Sequence, residues 1–310
     1  MTGIADDSAV LTVPVVVEAV LSWARAAGLV ADDRQERRLV AMRLDVLAAG
    51  ALPQGDEADV VLTAQWAAFV CWVDDRIDRH SLGARPGEVE RFIAPLRQVL
   101  DGGGPPPGGR APHAVVLARL WERTAEGMSG RWRERFAVDY GDFLDATAQE
   151  VALRRDGAPL GLEPYLRLRR RTITLLPVLD VLERTGHAPL VEDPRVDAQV
   201  RDLRWAVADV AGWANDLASA ADDLAAGQDN LVTVLARERS WPVAPAREHV
   251  AKMIEQRRTH LHATAHTLRT ASGLPDGQAA ALHHYVGLVE TFMTATLRWL
   301  ACTGRFTPAR

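Results

Sequence analysis

The chain has 310 residues, of which 48% are hydrophobic and 25% are charged, and its formal net charge is −5. This composition supports a substantial apolar core, and the modest acidic excess excludes the basic footprint of a nucleic-acid-binding protein. Two cysteines, Cys71 and Cys302, fit a reducing compartment without a disulfide framework. The N-terminus is acidic where a signal peptide is basic, and the longest apolar run, near 61–73, is shorter than the ~18 residues of a membrane span. The sequence therefore predicts a cytoplasmic protein with no membrane span.

Apolar residues recur with the helical period along nearly the whole chain, and no segment shows the strict alternation of a strand. The predicted fold class is all-α, with one domain over 1–310 in which 1–14 are expected to be flexible. The Gly- and Pro-rich stretch 101–112 is predicted to connect two helices at the surface. Pro177 is expected to break or kink its helix, because proline removes a backbone donor. In chain order, the predicted helices span 13–28, 33–49, 57–79, 86–100, 112–127, 129–153, 162–184, 194–224, 229–238, 243–271 and 276–302.

An acidic segment lies at the end of the predicted helix 57–79. Residues 74–78 have the sequence Asp-Asp-Arg-Ile-Asp. Side chains four positions apart share a face of an α-helix, so Asp74 and Asp78 are predicted to point the same way. Asp75 points about 100° away and is assigned to a salt bridge or a supporting role. Taken alone the segment is weak evidence, because a solvated acidic turn has the same composition.

A second polar segment lies within the predicted helix 194–224 and places Asn215, Ser219 and Asp223 at four-residue intervals. Asn215 is informative because asparagine occurs only at positions 215 and 230. Oxygen-bearing side chains of this kind are the ligands that Mg²⁺ prefers, and its shell is usually completed by substrate phosphates. Together the two segments predict a diphosphate held by magnesium between two helices.

The chain resembles the bacterial class I terpene synthases. The segment 74–78 has the DDxxD form of that family's first metal motif, and Asn215, Ser219 and Asp223 fit its second, with Asp in place of the usual Glu. The likeness runs from about residue 15 to the end. It includes Trp66, Phe69 and the Trp72-Val73 pair before the first motif, the connection 227–235 after the second, and Trp299 with the closing Thr303-Gly304-Arg305-Phe306.

Three positions depart from the family pattern. Asp222 stands where the family usually has Lys or Arg, so one positive contact to the diphosphate is missing or comes from elsewhere. Phe306 replaces a Tyr and cannot donate a hydrogen bond, and Cys71 replaces a common aromatic residue. None of the three is a predicted metal ligand.

The resemblance implies a single α-helical bundle around a central apolar cavity, in which an allylic prenyl diphosphate ionises and its carbocation cyclises. Three Mg²⁺ ions would be held by Asp74 on one side and by Asn215, Ser219 and Asp223 on the other. Asp78 is a further candidate ligand. Preorganised cations in a water-excluded site are an effective way to stabilise the departing diphosphate.

The family also places a diphosphate-sensing arginine just before a helix break. In this chain the local pattern Arg-Arg-x-Thr favours Arg170, whereas the family's usual interval to Asn215 favours Arg169. Arg170 ranks slightly ahead. The break would present Ile173 or Thr174 to the reacting carbon, and Arg305 would close over the diphosphate.

The walls of the cavity are predicted from helical faces, because residues three, four and seven positions before a ligand share its face. Trp299 and Phe69 are candidates for cation–π contacts with the carbocation, each worth ~1–2 kcal/mol when desolvated. The small wall residues leave room for twenty-carbon substrates. Fifteen-carbon farnesyl diphosphate is the commoner substrate in the family, and it ranks slightly ahead. The other predicted wall residues are Ala67, Val70 and Cys71 before Asp74, and Ala208, Ala211 and Gly212 before Asn215.

Two other classes of protein compete with a terpene synthase. A chain-elongating prenyltransferase shares the scaffold but carries two Asp-rich motifs, and it would consume isopentenyl diphosphate. A helical binding protein needs no inward-facing acidic residues. If pyrophosphate raised the thermal stability of the protein only when magnesium is present, that result would argue against a binding protein. The favoured prediction is a Mg²⁺-dependent synthase that binds a prenyl diphosphate and no nucleic acid. A homodimer is compatible with this prediction.

Overall fold

The computed structural model describes residues 13–78, 87–225 and 227–305, without the side chain of Asp78. Within these ranges every regular element is helical, which confirms the predicted all-α class. A short 3-10 turn, Pro107–Gly109, lies in the predicted surface connection. The helices are α1 (Pro14–Ala26), α2 (Asp33–Ala41), α3 (Leu44–Ala51), α4 (Glu57–Asp78), α5 (Glu88–Leu100), α6 (Pro112–Ala125), α7 (Gly130–Arg155), α8 (Leu162–Thr172), α9 (Leu175–Thr185), α10 (Asp197–Ala225), α11 (Leu231–Arg239), α12 (Val243–Arg269) and α13 (Asp276–Cys302).

Two of the predicted helical ranges are each divided into two helices. The predicted helix 33–49 forms α2 and α3, because the backbone at Arg43 turns into the left-handed region with φ 53°. The predicted helix 162–184 is divided at Thr174, which has φ 65°. Pro177 therefore lies in the first turn of α9, where its missing N–H breaks no helical hydrogen bond. The predicted break exists, but it precedes the proline.

Helix α4 lies between two clusters of buried apolar residues. Its Ala68 belongs to a cluster shared with α9, α10 and α13, and its Trp66 belongs to an aromatic cluster with α6 and α7. The Trp66 ring lies 5.2 Å from that of Phe136 and 6.0 Å from that of Tyr140. Full burial of each large side chain contributes about 1.5–3 kcal/mol. These contacts fix the helix whose last turn carries Asp74.

Buried charges tie α7, α9 and α10 together. Arg204 of α10 donates hydrogen bonds to Asp180 at 2.8 Å and to Asp139 at 2.6 Å. Arg135 of α7 donates to Asp180 at 3.0 Å. Removing one member of such a network typically costs about 3–5 kcal/mol, because a charge is left buried without a partner.

Asp139 is expected to make stability depend on pH. Burial raises its pKa to about 7, although Arg204 opposes the shift. In the unfolded chain Asp139 loses its proton near pH ~3.9, whereas in the folded chain it keeps the proton up to about pH 7. The bound proton therefore stabilises the fold fully below pH ~3.9, and this stabilisation is lost as the pH rises to about 7. Relative to Asp139→Asn, the wild-type free energy of unfolding should fall by up to about 1.4 kcal/mol per pH unit between pH ~5 and ~7. Denaturant unfolding at several pH values measures this, with the exposed Asp145→Asn on the same helix as control. A difference between wild type and Asp139→Asn that stays constant with pH would contradict the prediction.

Among the residues that the structure describes, no helix is both long and apolar enough to cross a membrane.

Candidate active site

A cavity of about 610 Å³ opens between α3, α4, α7–α10 and α13. One end is polar and carries both acidic segments. The other end is apolar and includes Leu47, Val178 and Phe292. The side chains near 74 and near 219 therefore line one common space, as the interpretation of the sequence requires.

The second polar segment forms one edge of the polar end. Asn215, Ser219 and Asp223 all line the cavity from the same face of α10. The Ser219 hydroxyl donates a hydrogen bond to Asp223 Oδ2 at 2.6 Å. The four-residue spacing thus places three oxygen-bearing side chains in a row along the cavity.

The first acidic segment lines the cavity from the last turns of α4. Arg305 Nη2 donates to Asp74 Oδ2 at 2.5 Å and lies 3.5 Å from Asp75 Oδ1. Asp75 also accepts from Arg38 Nη2 at 2.7 Å, so it makes the salt bridges expected of it. The side chain of Asp78 and all of Phe306 lie outside the described residues, and their predicted roles remain predictions.

The last turn of α13 and the residues after it, up to Gly304, are held against the junction between α2 and α3. The indole N–H of Trp299 donates to the carbonyl of Met42 at 2.6 Å, and the Thr303 hydroxyl donates to the same oxygen at 2.9 Å. The Gly304 N–H donates to the Ala41 carbonyl at 2.7 Å. These contacts hold the backbone that places Arg305 beside Asp74.

Arg169 lines the cavity, whereas Arg170 does not. Arg169 donates to Asn215 Oδ1 at 2.9 Å and to Asp216 Oδ1 at 2.8 Å. Burial alone would lower the pKa of Arg169, but Asp216 and other acidic neighbours raise it above its ordinary value, so the guanidinium stays charged. This geometry agrees with the family's usual interval to Asn215, which favoured Arg169. It does not agree with the local pattern Arg-Arg-x-Thr, which favoured Arg170.

The structure places Arg170, which was ranked first, away from the cavity. Its guanidinium donates to Asp209 at 2.7 Å and lies 5.0 Å from the centre of the Trp205 ring, outside the cavity. One residue along a helix turns the side chain by about 100°, which carries Arg170 to a different face of α8.

The break between α8 and α9 faces the cavity. Ile173 and Thr174 both line it, and Thr174 is buried with its hydroxyl donating to the Thr172 carbonyl at 3.3 Å. The left-handed backbone at Thr174 turns the chain here, so the break presents main-chain and side-chain atoms together.

Some of the predicted wall residues line the cavity and others do not. Ala67, Val70, Cys71 and Trp299 line the cavity. The predicted wall residues Ala208, Ala211 and Gly212 are buried but do not line it. The cause is the helix break, which covers this face of α10: a Cβ added at Gly212 would lie 3.6 Å from Arg169 Cγ and 3.7 Å from Ile173 Cβ.

Phe69 was also wrongly placed. It is fully buried in the aromatic cluster of α4, with its ring stacked on Trp72 at 6.3 Å, and it does not line the cavity. Phe292 and Thr296 line it instead. They lie seven and three positions before Trp299, so the helical spacing rule applied to Trp299 could have found them.

Two buried residues were missed: Asp216, which lines the cavity, and Asn230, which lies behind it. Asp216 accepts hydrogen bonds from the Tyr165 hydroxyl at 2.7 Å and the Leu231 N–H at 3.2 Å, besides that from Arg169. Burial raises the pKa of Asp216, and Arg169 opposes the shift. Asn230 donates to Asp223 and could have been found, because it is the other asparagine of the chain.

The polar end of the cavity suits cations held by oxygen ligands. Acidic side chains outnumber arginines among the residues that line it, including Asp222 and Asp229 as well as both motifs. A bare diphosphate would be repelled by such a surface. Divalent cations between the carboxylates and the anion would remove that repulsion, so this set of donors fits a metal-dependent diphosphate site.

Residues 65–260 match the family model described as terpene synthase family 2, C-terminal metal binding. This chain belongs to the terpene synthase family. The matched region contains Asp74, Arg169, Asn215, Ser219 and Asp223. The resemblance inferred from the motifs is thereby confirmed, and both acidic segments lie within the matched region.

Similar synthases span most of the chain. A (−)-β-caryophyllene synthase ((2E,6E)-farnesyl diphosphate cyclizing) from Saccharothrix espanaensis is 31% identical over 76% of this chain and 67% of that protein. Pristinol synthase from Streptomyces pristinaespiralis is 28% identical over 92% of this chain and 78% of that protein.

Solved structures agree on the fold. Germacradien-4-ol synthase from Streptomyces citricolor has a TM-score of 0.80 at 26% identity, over 93% of this chain and 94% of that chain. Linalool/nerolidol synthase from Streptomyces clavuligerus, in complex with 2-fluorogeranyl diphosphate, has a TM-score of 0.83 at 24% identity, over 93% and 98% of the two chains. The predicted class I terpene synthase fold is confirmed.

Proposed function

We propose that this synthase binds an allylic prenyl diphosphate at the polar end of the cavity, ionises it and cyclises the carbocation in the apolar end, releasing pyrophosphate. The observation that carries the proposal is that Asp74 and the triad Asn215, Ser219 and Asp223 border one cavity whose other end is apolar. Farnesyl diphosphate is the favoured substrate, because a relative that is 31% identical is named as cyclizing it. Geranylgeranyl diphosphate is the second candidate, for the small wall residues on α4.

Asp74, Asn215, Ser219 and Asp223 are the proposed ligands of Mg²⁺, with three ions expected by resemblance to the family. All four offer oxygen atoms, which are the donors that Mg²⁺ takes. When bound, Mg²⁺ would neutralise the charge that develops on the diphosphate as its bond to carbon breaks. We propose the same site for the substrate diphosphate and the released pyrophosphate.

Arg169 and Arg305 are proposed to bind the diphosphate oxygens directly. A guanidinium fork matches phosphate geometry and does not lose its charge. Arg169 is held in place by Asp216, which in turn accepts from Tyr165, so its orientation is set before substrate binds. Such preorganised donors need no rearrangement as charge develops.

The apolar end is proposed to fold the carbocation and exclude water. Trp299 and Phe292 line it from α13, and the Trp299 indole N–H is already bonded to Met42. The π-face of each ring would stabilise a cation by about 1–2 kcal/mol. Neither ring offers a free base, so neither would remove a proton from the cation. Ile173 and Thr174 of the helix break are proposed to face the carbon that loses the diphosphate.

Incubation with Mg²⁺ and ten-, fifteen- or twenty-carbon allylic diphosphates tests the function. Cyclic hydrocarbons or alcohols, identified by gas chromatography and mass spectrometry, should form together with pyrophosphate and should disappear when EDTA is added. Absence of pyrophosphate release from all three substrates would overturn the proposal. Consumption of added isopentenyl diphosphate would assign the protein to chain elongation instead.

Cys71 is expected to set the length of substrate that fits. It lines the cavity one turn before Asp74, and burial raises the pKa of its thiol to about 11, so it acts as a small neutral wall. Cys71→Phe should lower turnover of the twenty-carbon substrate relative to the fifteen-carbon one by about tenfold or more, since overpacking costs about 1–3 kcal/mol. Competition between the two substrates measures the ratio. The size-matched Cys71→Ser should leave it unchanged, and an unchanged ratio in Cys71→Phe would contradict the prediction.

A further inference from the structure

The side chain of Asn230 is buried behind the cavity, with 0% of the residue exposed. It is the N-cap of α11, where its Oδ1 accepts from the Val232 N–H at 2.9 Å. Its Nδ2 donates to the carbonyl of Asp216 at 2.8 Å and to Asp223 Oδ2 at 2.7 Å. The orientation of the amide is therefore determined, because the oxygen must meet the Val232 donor and the nitrogen must meet two acceptors.

These contacts occupy one oxygen of the Asp223 carboxylate. Oδ2 accepts from the Ser219 hydroxyl at 2.6 Å as well as from Asn230 at 2.7 Å. Within the described part of the chain, no hydrogen bond to Asp223 Oδ1 is found, while Asp223 itself lines the cavity. The carboxylate thus has one oxygen committed to the protein and one left for a ligand.

We infer that Asn230 is a positioning residue that fixes the Asp223 carboxylate for metal binding. The inference rests on the proposed function, in which Asp223 is a magnesium ligand. Aspartate is one methylene shorter than the glutamate usual at this position in the family, so its carboxylate lies closer to α10 and within reach of both Ser219 and Asn230. Two donors on one oxygen hold the carboxylate in place and leave its other oxygen for the metal that Asp223 would bind.

Asn230 also links this carboxylate to the arginine side of the site. Its second acceptor is the carbonyl of Asp216, and the Asp216 side chain holds Arg169. One buried amide therefore sets the position of a proposed metal ligand and supports the residue that orients a proposed diphosphate ligand. Residues that orient metal ligands typically change metal affinity by about 10–100-fold when they are replaced.

Asn230→Ser separates this role from helix capping. Serine is a good N-cap and retains an acceptor for the Val232 N–H, but it is too short to donate to Asp223 as well. The matched control is Thr233→Val. Thr233 completes the same capping box through its hydroxyl, which accepts from the Asn230 N–H at 3.1 Å, and it has no contact with Asp223. Should Asn230→Ser fail to fold, Asn230→Thr fills more of the space, keeps an acceptor for the cap, adds no charge and also removes the donor to Asp223.

Calorimetric titration with inorganic pyrophosphate at a series of Mg²⁺ concentrations gives the concentration at half-saturation without requiring turnover. We expect Asn230→Ser to need about 10–100-fold more Mg²⁺ than wild type, and Thr233→Val to match wild type. Thermal unfolding without metal should show both variants folded. A folded Asn230→Ser with the wild-type Mg²⁺ requirement would overturn the inference alone. If the wild type neither binds pyrophosphate with Mg²⁺ nor releases it from prenyl diphosphates, the proposed function fails, and the role of Asn230 fails with it.

Discussion

Asp74→Asn and Asn215→Ala are each expected to lower the rate of pyrophosphate release by about 10²–10³-fold, the cost of losing one stabilising contact in a preorganised site. Asp74→Asn keeps the size of the side chain but removes its negative charge. Asn215→Ala removes an oxygen that faces the cavity and accepts from Arg169. Because the two residues line the cavity from different helices, similar losses in both variants would indicate that α4 and α10 hold the same anion.

The fold should survive both substitutions. Arg305 retains Asp75 at 3.5 Å when Asp74 changes, and Arg169 retains Asp216 when Asn215 changes. Release of pyrophosphate at saturating Mg²⁺ measures activity, and thermal unfolding measures integrity. Asp202→Asn is the matched control, since Asp202 lies on α10 but is hydrogen-bonded to His260 away from the cavity. Wild-type turnover in Asp74→Asn and Asn215→Ala would reject the site assignment.

Arg169→Lys is expected to lower turnover by about 10²-fold, whereas Arg170→Lys should leave it nearly unchanged. Lysine keeps the positive charge next to Asp216 but loses the planar fork that bonds Asn215 and Asp216 together. Arg170 pairs with Asp209 outside the cavity, so the same substitution there changes no group that faces substrate.

The pair of variants is its own control, because the two arginines are adjacent, partly buried and each paired with an aspartate. Kinetics with saturating Mg²⁺ and the preferred allylic diphosphate, together with thermal unfolding, distinguish lost function from lost stability. A large loss in Arg170→Lys with normal turnover in Arg169→Lys would reverse the assignment drawn from the geometry.

The sequence predicted those parts of the site that depend on helical periodicity alone. The four-residue spacings placed Asp74 on one inward face and Asn215, Ser219 and Asp223 on another, and both faces border the cavity. The same rule placed Cys71 in the wall. Periodicity is a local property, so a single sequence carries it.

The rest depends on contacts between elements. Spacing assigned Gly212 to the same face as Asn215, but it gave no sign that the α8–α9 break would cover that face. The choice between Arg169 and Arg170 depends on the rotation of α8 about its own axis, which is set by the helices packed against it. Arg43 and Thr174 adopt left-handed backbone conformations, which non-glycine residues rarely do and which their sequence did not indicate.

The anchoring of the final turn on the α2–α3 junction means that the functional unit is larger than the matched region 65–260. The backbone just before Arg305, which pairs with Asp74, is hydrogen-bonded to Ala41 and Met42 in the first part of the chain. A protein trimmed to the matched region would keep both acidic segments and lose both partners of these hydrogen bonds. Variation at the α2–α3 junction can therefore alter the position of Arg305 beside Asp74, although this junction carries no proposed metal ligand.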